Sequence, residues 1–260
     1  MKTLLKTGVV ALALGLLVLA APRMVSIHVY DGFESSTLSW RRWSTERMVP
    51  GAAVVQHKIV RAGQRALAVT VRSGDRYEAA SDDGAASERD ELLESWWLYS
   101  HTGQSYVQSF SLYLPREFPQ NSERLVIAQW KQLCEASACR PDNPILAIRY
   151  AGGRLEITRN DERGKAVLYQ GADDVRGRWL DFRFVTRFDP DSQGSIDATL
   201  DGSPIVHYRG PTAYQPARGY PARGLVYFKF GLYRDALNEP PWTIYLDEYR
   251  KDQCAESGCR

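Results

Sequence analysis

The stretch that decides the fold is Tyr227-Phe228-Lys229-Phe230-Gly231-Leu232-Tyr233-Arg234. A β-strand points successive side chains to opposite faces, with period two. On that period Val226, Phe228, Phe230 and Leu232 share a wholly apolar face, while Tyr227, Lys229, Gly231 and Tyr233 share the other. One face is made for burial and the other for solvent or a ligand. A plain solvated face usually carries Thr, Ser, Lys and Glu. Tyrosines, a lysine and a glycine also suit the floor of a sugar-binding cleft, where glycine lets a ligand approach the backbone. Taken alone, the segment fits an ordinary half-exposed strand equally well.

The same alternation recurs along the chain. Strand-like runs cover 66–72, 106–114, 125–131, 145–150, 154–159, 179–188, 195–200, 205–208, 225–233 and 242–248. Turn signals separate them, among them Gly152-Gly153, Arg163-Gly164, Asp189-Pro190-Asp191 and the tight hairpin signal Asp201-Gly202. In 179–188, Leu180, Phe182, Phe184 and Phe188 share one face, and Asp181, Arg183 and Arg187 the other. No helical period persists; Glu88 to Ser95 fits one helical turn or a strand. The pattern predicts an all-β, two-sheet antiparallel β-sandwich of the jelly-roll, concanavalin-like type. Phe182, Phe184, Phe228 and Phe230 are its expected core.

The chain has 260 residues and a formal charge of +2. Lys2 and Lys6, the apolar run from Gly8 to Ala21 and the small residues Ala20-Ala21 read as a secretory signal peptide over 1–21. The run is short for a membrane span, which needs about 20 apolar residues; an uncleaved anchor is the alternative. Residues 22–260 are then a single domain, expected to be soluble, monomeric and secreted or periplasmic. Four cysteines remain, Cys134, Cys139, Cys254 and Cys259, in two pairs of equal spacing. An even count in an exported chain points to disulfides, and two local loops are the simplest of the three pairings. Metal binding is the weaker alternative, since neither pair has zinc-site spacing. No strongly basic body points to nucleic acid. The segment 201–234 is locally +4, and 235–260 is −3. A local cationic excess in a nearly neutral protein suits an anionic ligand held at one site.

Three polar clusters carry candidate chemistry. Arg89 and Glu91 share a strand face, a common way to orient a guanidinium for carboxylate binding. Gln129 and Lys131 share a face about 7 Å apart and interrupt an apolar run. Tyr227, Lys229 and Tyr233 form the third cluster. No acidic pair stands in an obvious motif. These groups suit β-elimination on a uronic acid polymer. Arg and Gln neutralise the carboxylate and acidify the proton on the adjacent carbon, while Tyr, or a Lys of lowered pKa, transfers protons. No metal or nucleotide cofactor is required.

Taken in order, the motifs resemble polysaccharide lyases of the heparin lyase I and glucuronan lyase group, with a more distant similarity to jelly-roll alginate lyases. The matching stretches are Arg89-Asp90-Glu91-Leu92, Tyr106 to Pro115 ending Ser-Leu-Tyr-Leu-Pro, Ile127-Ala128-Gln129-Trp130-Lys131, Asp201-Gly202, Tyr208-Arg209-Gly210-Pro211-Thr212, and Tyr227 to Arg234. The resemblance spans roughly 28–250 and implies that Arg89 and Gln129 neutralise the substrate carboxylate. It also implies that Tyr233 is the catalytic tyrosine and Lys229 a substrate-binding cation. Many relatives carry histidine where this chain has Lys131. A lysine titrates near neutrality only when desolvated or beside another cation, so Lys131 reads as a substrate clamp.

The expected site is therefore Tyr233, Gln129, Arg89 and Lys131 for catalysis. Lys229, Tyr227, Arg234, Glu91 and His101 are the expected contacts to an acidic polysaccharide. Trp130 is expected in the core, and one of Trp96 and Trp97 is expected to face outward for sugar stacking. A structural calcium is left open, without a ligand motif. Two rivals remain: a non-catalytic carbohydrate-binding module of the same shape, and a glycoside hydrolase, for which Glu91 and Glu94 are the nearest carboxylate pair.

Overall fold

The computed structural model describes residues 26–45, 47–76, 87–120, 125–133, 143–171, 174–215, 224–236, 240–255 and 259. The expected leader, 1–21, and Cys134 and Cys139 lie outside the described residues. The described strands are β1 (His28–Asp31), β2 (Trp43–Ser44), β3 (Ala53–Gln56), β4 (Ala66–Val71), β5 (Ser87–Glu94), β6 (Ser100–His101), β7 (Ser105–Tyr113) and β8 (Leu125–Leu133). They continue as β9 (Leu146–Ala151), β10 (Arg154–Asp161), β11 (Gly164–Gln170), β12 (Trp179–Arg187), β13 (Ser195–Leu200), β14 (Ser203–Arg209), β15 (Leu225–Asp235) and β16 (Trp242–Gln253). A single 3-10 turn at Trp96–Leu98 is the only helical element among the described residues.

Two antiparallel eight-stranded sheets form the fold. The back sheet runs β14-β13-β12-β7-β16-β4-β3, with β1 beside β16. The front sheet runs β11-β10-β9-β8-β15-β5-β2, with β6 beside β15. This is the all-β two-sheet sandwich that the alternation predicts. Phe182 and Phe184 come from the back sheet, Phe228 and Phe230 from the front, and all four are at most 2% exposed. They meet around Phe110, whose ring centroid lies 5.6 Å from Phe228 and 5.7 Å from both Phe182 and Phe230. Burying each phenyl ring contributes roughly 1.5–3 kcal/mol, so this cluster fixes which face of each strand turns inward. Trp130 is in the same core, 4.8 Å from Phe184.

The interior also holds ions. Glu94 and Lys251 are both fully buried and paired at 2.9 Å, and Tyr249 donates to Glu94 at 3.3 Å. Trp130 Nε1 donates to Gln108 at 2.8 Å, and Gln108 reaches Tyr249, which ties the two sheets by side chains as well as packing. Burial pushes the Glu94 carboxyl up and the Lys251 ammonium down. Near the C-terminus Cys254 and Cys259 form a disulfide.

Candidate active site

Strands β8, β15 and β5 lie side by side in the front sheet, and their register assembles the site. Tyr233 pairs with Arg89 on one side, Lys229 pairs with Gln129 on the other, and Tyr227 pairs with Lys131. Since Phe228, Phe230 and Leu232 fill the core, these partners sit on the face turned away from it. Three segments far apart in sequence thus bring Arg89, Glu91, Gln129, Lys131, Tyr227, Lys229 and Tyr233 to one patch.

Glu91 is the centre of that patch. It is fully buried and accepts hydrogen bonds from Gln129 Nε2 and from Lys229 Nζ, the latter at 3.0 Å. Arg89 Nε lies 3.2 Å from the same carboxylate oxygen as the lysine. Burial would push the Glu91 carboxyl up, but the charges of Lys229 and Arg89 and the bonds from Gln129 and Lys229 outweigh it and hold the group below its ordinary value. Burial pushes Lys229 down to about 8; Glu91 opposes this, while Arg89 and Lys131 add to it. Near neutral pH one carboxylate faces the cations Arg89, Lys229 and Lys131, so the patch keeps an excess of positive charge.

Tyr233 lies on Arg89, with the guanidinium carbon 4.0 Å from the ring centroid. The stacking fixes both side chains, and Glu91 fixes the guanidinium from another direction. Tyr227 is half-buried and packs on Tyr99, ring centroids 5.5 Å apart, and burial raises its pKa.

A family model described as polysaccharide lyase covers residues 33–250. The chain belongs to the polysaccharide lyase family. It is a lyase by that membership, and its solved neighbours share the fold. An endo-beta-1,4-glucuronan lyase from the fungus Trichoderma reesei is 15% identical with a TM-score of 0.66, covering 87% of this chain and 95% of that one. The alginate lyase AlgAT5 of polysaccharide lyase family 7 is 15% identical with a TM-score of 0.54, covering 80% and 84%. The catalytic domain of a glycoside hydrolase family 131 protein from Coprinopsis cinerea is also similar in shape, at 13% identity and a TM-score of 0.53, covering 85% and 92%. One sandwich therefore hosts different chemistries, and the site must argue the reaction. No curated protein matches the sequence.

Several sequence candidates are buried in the lyase or sit away from the patch. Lys229 is expected on a wet face, yet it is 1% exposed and locked to Glu91. It therefore acts as an internal counter-charge and not as a surface clamp. Arg234 is turned to the opposite face. It is fully buried, binds Glu88 at 2.7 Å and stacks 4.4 Å over Trp242. Period two already places it with Phe228 and Phe230, so it does not join the substrate contacts expected of it. His101 pairs with Leu225, eight residues along β15 from Tyr233, a span of roughly 27 Å. It lies at the far end from Arg89. Gly231 does not open the backbone to a ligand. Its φ is 150°, and an added Cβ would sit 2.1 Å from the carbonyl oxygen of Asp90. The glycine lets β15 close on β5 at the level of Glu91.

Glu94, the second carboxylate of the hydrolase alternative, faces the core and is paired with Lys251. Trp96 and Trp97 are both exposed, at 79% and 47%. Arg149 of β9 is absent from the sequence candidates. A bulge between Val126 and Ala128 puts Val126 opposite Arg149 on one side and Tyr233 on the other. Strict alternation along β8 hides that relationship.

Proposed function

We propose that the lyase cleaves an acidic, uronate-containing polysaccharide by β-elimination, with Arg89 and Gln129 holding the uronate carboxylate and Tyr233 moving the proton. The observation that carries this reading is the Arg89–Tyr233 stack beside Gln129, set in a patch where cations outnumber the single carboxylate.

Each step uses a group in place. The substrate carboxylate docks against Arg89 and Gln129, and its charge is neutralised as electron density builds during proton removal. Tyr233 takes the proton from the carbon next to the carboxylate. The electron pair of that C–H bond forms a carbon–carbon double bond as the bond to the glycosidic oxygen breaks. The leaving oxygen takes a proton, and Tyr233 carries it. Arg89 meets the carboxylate charge, so the scheme requires no metal. Glu91 holds Arg89 and Gln129 in place, and Lys229 keeps Glu91 ionised. Lys131 and Tyr227 contact the neighbouring sugar. Hydrolysis would need a second carboxylate on this face, and Glu94 points the other way. The leader-like N-terminus and the cysteine pairs support export of a single-domain, monomeric enzyme.

A panel of polyuronates tests the reaction. Unsaturated uronate, seen by its ultraviolet absorbance, is expected with at least one of them. New reducing ends without that absorbance would show hydrolysis and overturn the proposal.

A further inference from the structure

The outer face of the back sheet, on the other side of the sandwich from the patch, carries a row of its own. Crossing the strands from β12, the residues opposite one another are Trp179, Tyr113, Tyr245, Ala68 and Val54. Their neighbours Leu180, Leu112, Leu246 and Leu67 fill the core, so the row points outward. Strands are spaced about 4.8 Å, which makes the row about 19 Å long. Its three aromatic rings are half-buried and in contact: the centroid of Tyr113 lies 5.5 Å from that of Trp179 and 5.9 Å from that of Tyr245. Among the described residues, neither tyrosine hydroxyl nor the Trp179 N–H has a hydrogen-bond partner, and all three polar tips reach solvent.

Recesses flank the row on both sides. One, of about 350 Å³, is lined by Arg61, Ser109, Ser111, Asp181, Glu248 and Arg250. The other, of about 340 Å³, is walled by Pro115, Pro119, Pro240 and Pro241 beside Tyr245. The first is held in shape from below. Asp247, fully buried, accepts from the backbone N–H groups of Arg61 and Ala62 at 2.9 and 3.2 Å and pins that loop to the sheet. From there Arg61 donates twice to Asp181, at 3.1 and 2.7 Å, and Ser111 donates to the same carboxylate at 2.7 Å. A bulge in β16 between Asp247 and Arg250 brings Glu248 to the rim, with a φ of 52° that glutamate rarely adopts.

We propose that this face is a second, non-catalytic polysaccharide-binding site, which stacks sugar rings on Tyr245, Tyr113 and Trp179 and takes their hydroxyls in the recess beside Asp181. A pyranose has apolar C–H faces and a rim of hydroxyls. The back face offers a partner for each: aromatic rings for the first, and carboxylates, guanidinium edges and the Ser109 hydroxyl for the second. The ions of the recess are matched, Arg61 with Asp181 at 2.7 Å and Arg250 with Glu248 at 3.6 Å. Two cations against two anions leave no excess charge to draw a uronate, unlike the patch on the front sheet. The ligand class is therefore a pyranose polymer read by its ring faces and hydroxyls, neutral units included. A second copy of this chain fits less well, because a dry protein interface would bury the three open polar tips unpaired, whereas sugar hydroxyls pair them. The two sites face opposite ways, so the back face holds one stretch of polymer while the front patch works on another.

Calorimetry with the neutral hexasaccharides cellohexaose, xylohexaose and mannohexaose tests the site, since these carry no carboxylate for the front patch. Wild type should bind at least one of them, with a Kd that does not change with salt. Trp179→Ala should weaken that binding about 5-fold or more, as loss of a stacking ring does, and Trp179→Phe should keep most of it. Ser109→Leu, which removes an open hydroxyl and fills part of the recess without entering the core, should weaken it as well, while Tyr233→Phe should bind as wild type does. The kcat of Trp179→Ala and Ser109→Leu on a short uronate oligosaccharide should stay at the wild-type value. Urea unfolding checks that each variant is folded; if Trp179→Ala is not, Ser109→Leu decides. Wild type that binds none of the three sugars overturns the site, and so do back-face variants that bind as wild type does. Sedimentation showing a dimer that Trp179→Ala dissociates would assign the face to a second copy of the chain and overturn it too. Absence of unsaturated product from every polyuronate would remove the elimination reading alone and leave these binding results to stand.

Discussion

The Arg89 guanidinium carbon lies 4.0 Å from the centroid of the Tyr233 ring, and the two residues are direct cross-strand partners on β5 and β15. The pair joins the group that meets the substrate's charge to the group that moves its proton. Removing the hydroxyl while keeping the ring separates these functions. Tyr233→Phe should lower kcat about 10²–10⁴-fold, the usual contribution of a positioned acid or base, with KM within a few-fold. The Arg89 stack survives in this variant, so folding and polymer binding should persist. Steady-state kinetics on a cleaved polyuronate checks this, and near-full activity would remove Tyr233 as the proton carrier.

Lys229 makes the opposite prediction. It is a buried partner of Glu91, so its loss leaves a carboxylate short of counter-charge inside the protein. Breaking a buried pair by deleting one member costs about 3–5 kcal/mol; Arg89 and Gln129 remain on Glu91, so Lys229→Met should fall at or below the lower end. Urea unfolding measures it. The loss should change little with salt, because the pair is shielded from solvent ions. A strongly salt-dependent KM with unchanged stability would restore the lysine to the surface role expected from the sequence.

Sequence alternation carried the fold because a period of two is a backbone property and needs no partner. It put Phe228 and Phe230 inside and grouped Tyr227, Lys229 and Tyr233 on one face, and the structure agrees on both. Burial on that face depends on cross-strand partners, and those are not in the local pattern. Lys229 is covered by Glu91, 138 positions away in sequence. His101 stands opposite Leu225, far from Arg89, because β6 pairs with the start of β15. Arg149 joins the row of Tyr233 through a bulge in β8 that resets the alternation. Arg234 was legible: its even position places it with the core residues, and its charge drew it to the wrong face.

Asp90 sits on the inner side of β5, between the site residues Arg89 and Glu91. It is fully buried, and its Oδ1 accepts from the Val49 amide at 2.8 Å. Burial first, and a hydrogen bond with Asp75 second, push its carboxyl up to about 8. The unfolded chain loses that proton near 3.8, so between about pH 4 and 8 the folded form binds more protons than the unfolded one. Stability from this group is therefore full below that window and is lost as pH rises through it. Asp90→Asn cannot ionise and should flatten the slope, giving a higher urea midpoint than wild type on the alkaline side. Parallel slopes for the two proteins would show that Asp90 does not carry the proton.

Lys131 stands two residues along β8 from Gln129, and its neighbours decide its role. It is half-buried, lies opposite Tyr227 and helps to lower the pKa of Lys229. As a clamp it stays charged and holds an anionic sugar beside Gln129. Lys131→Met should then raise KM several-fold with a weaker salt dependence, and kcat should change less. The pH–rate profile gives a second readout. Lys229 titrates near 8 partly because Lys131 is close, so removing that charge should move an alkaline transition of Lys229 upward without abolishing it. If Lys131 were the base, the same variant would lose the alkaline rise in rate altogether while substrate affinity held. A shifted limb with weakened binding supports the clamp, and a vanished limb with intact binding assigns the proton to Lys131 instead of Tyr233.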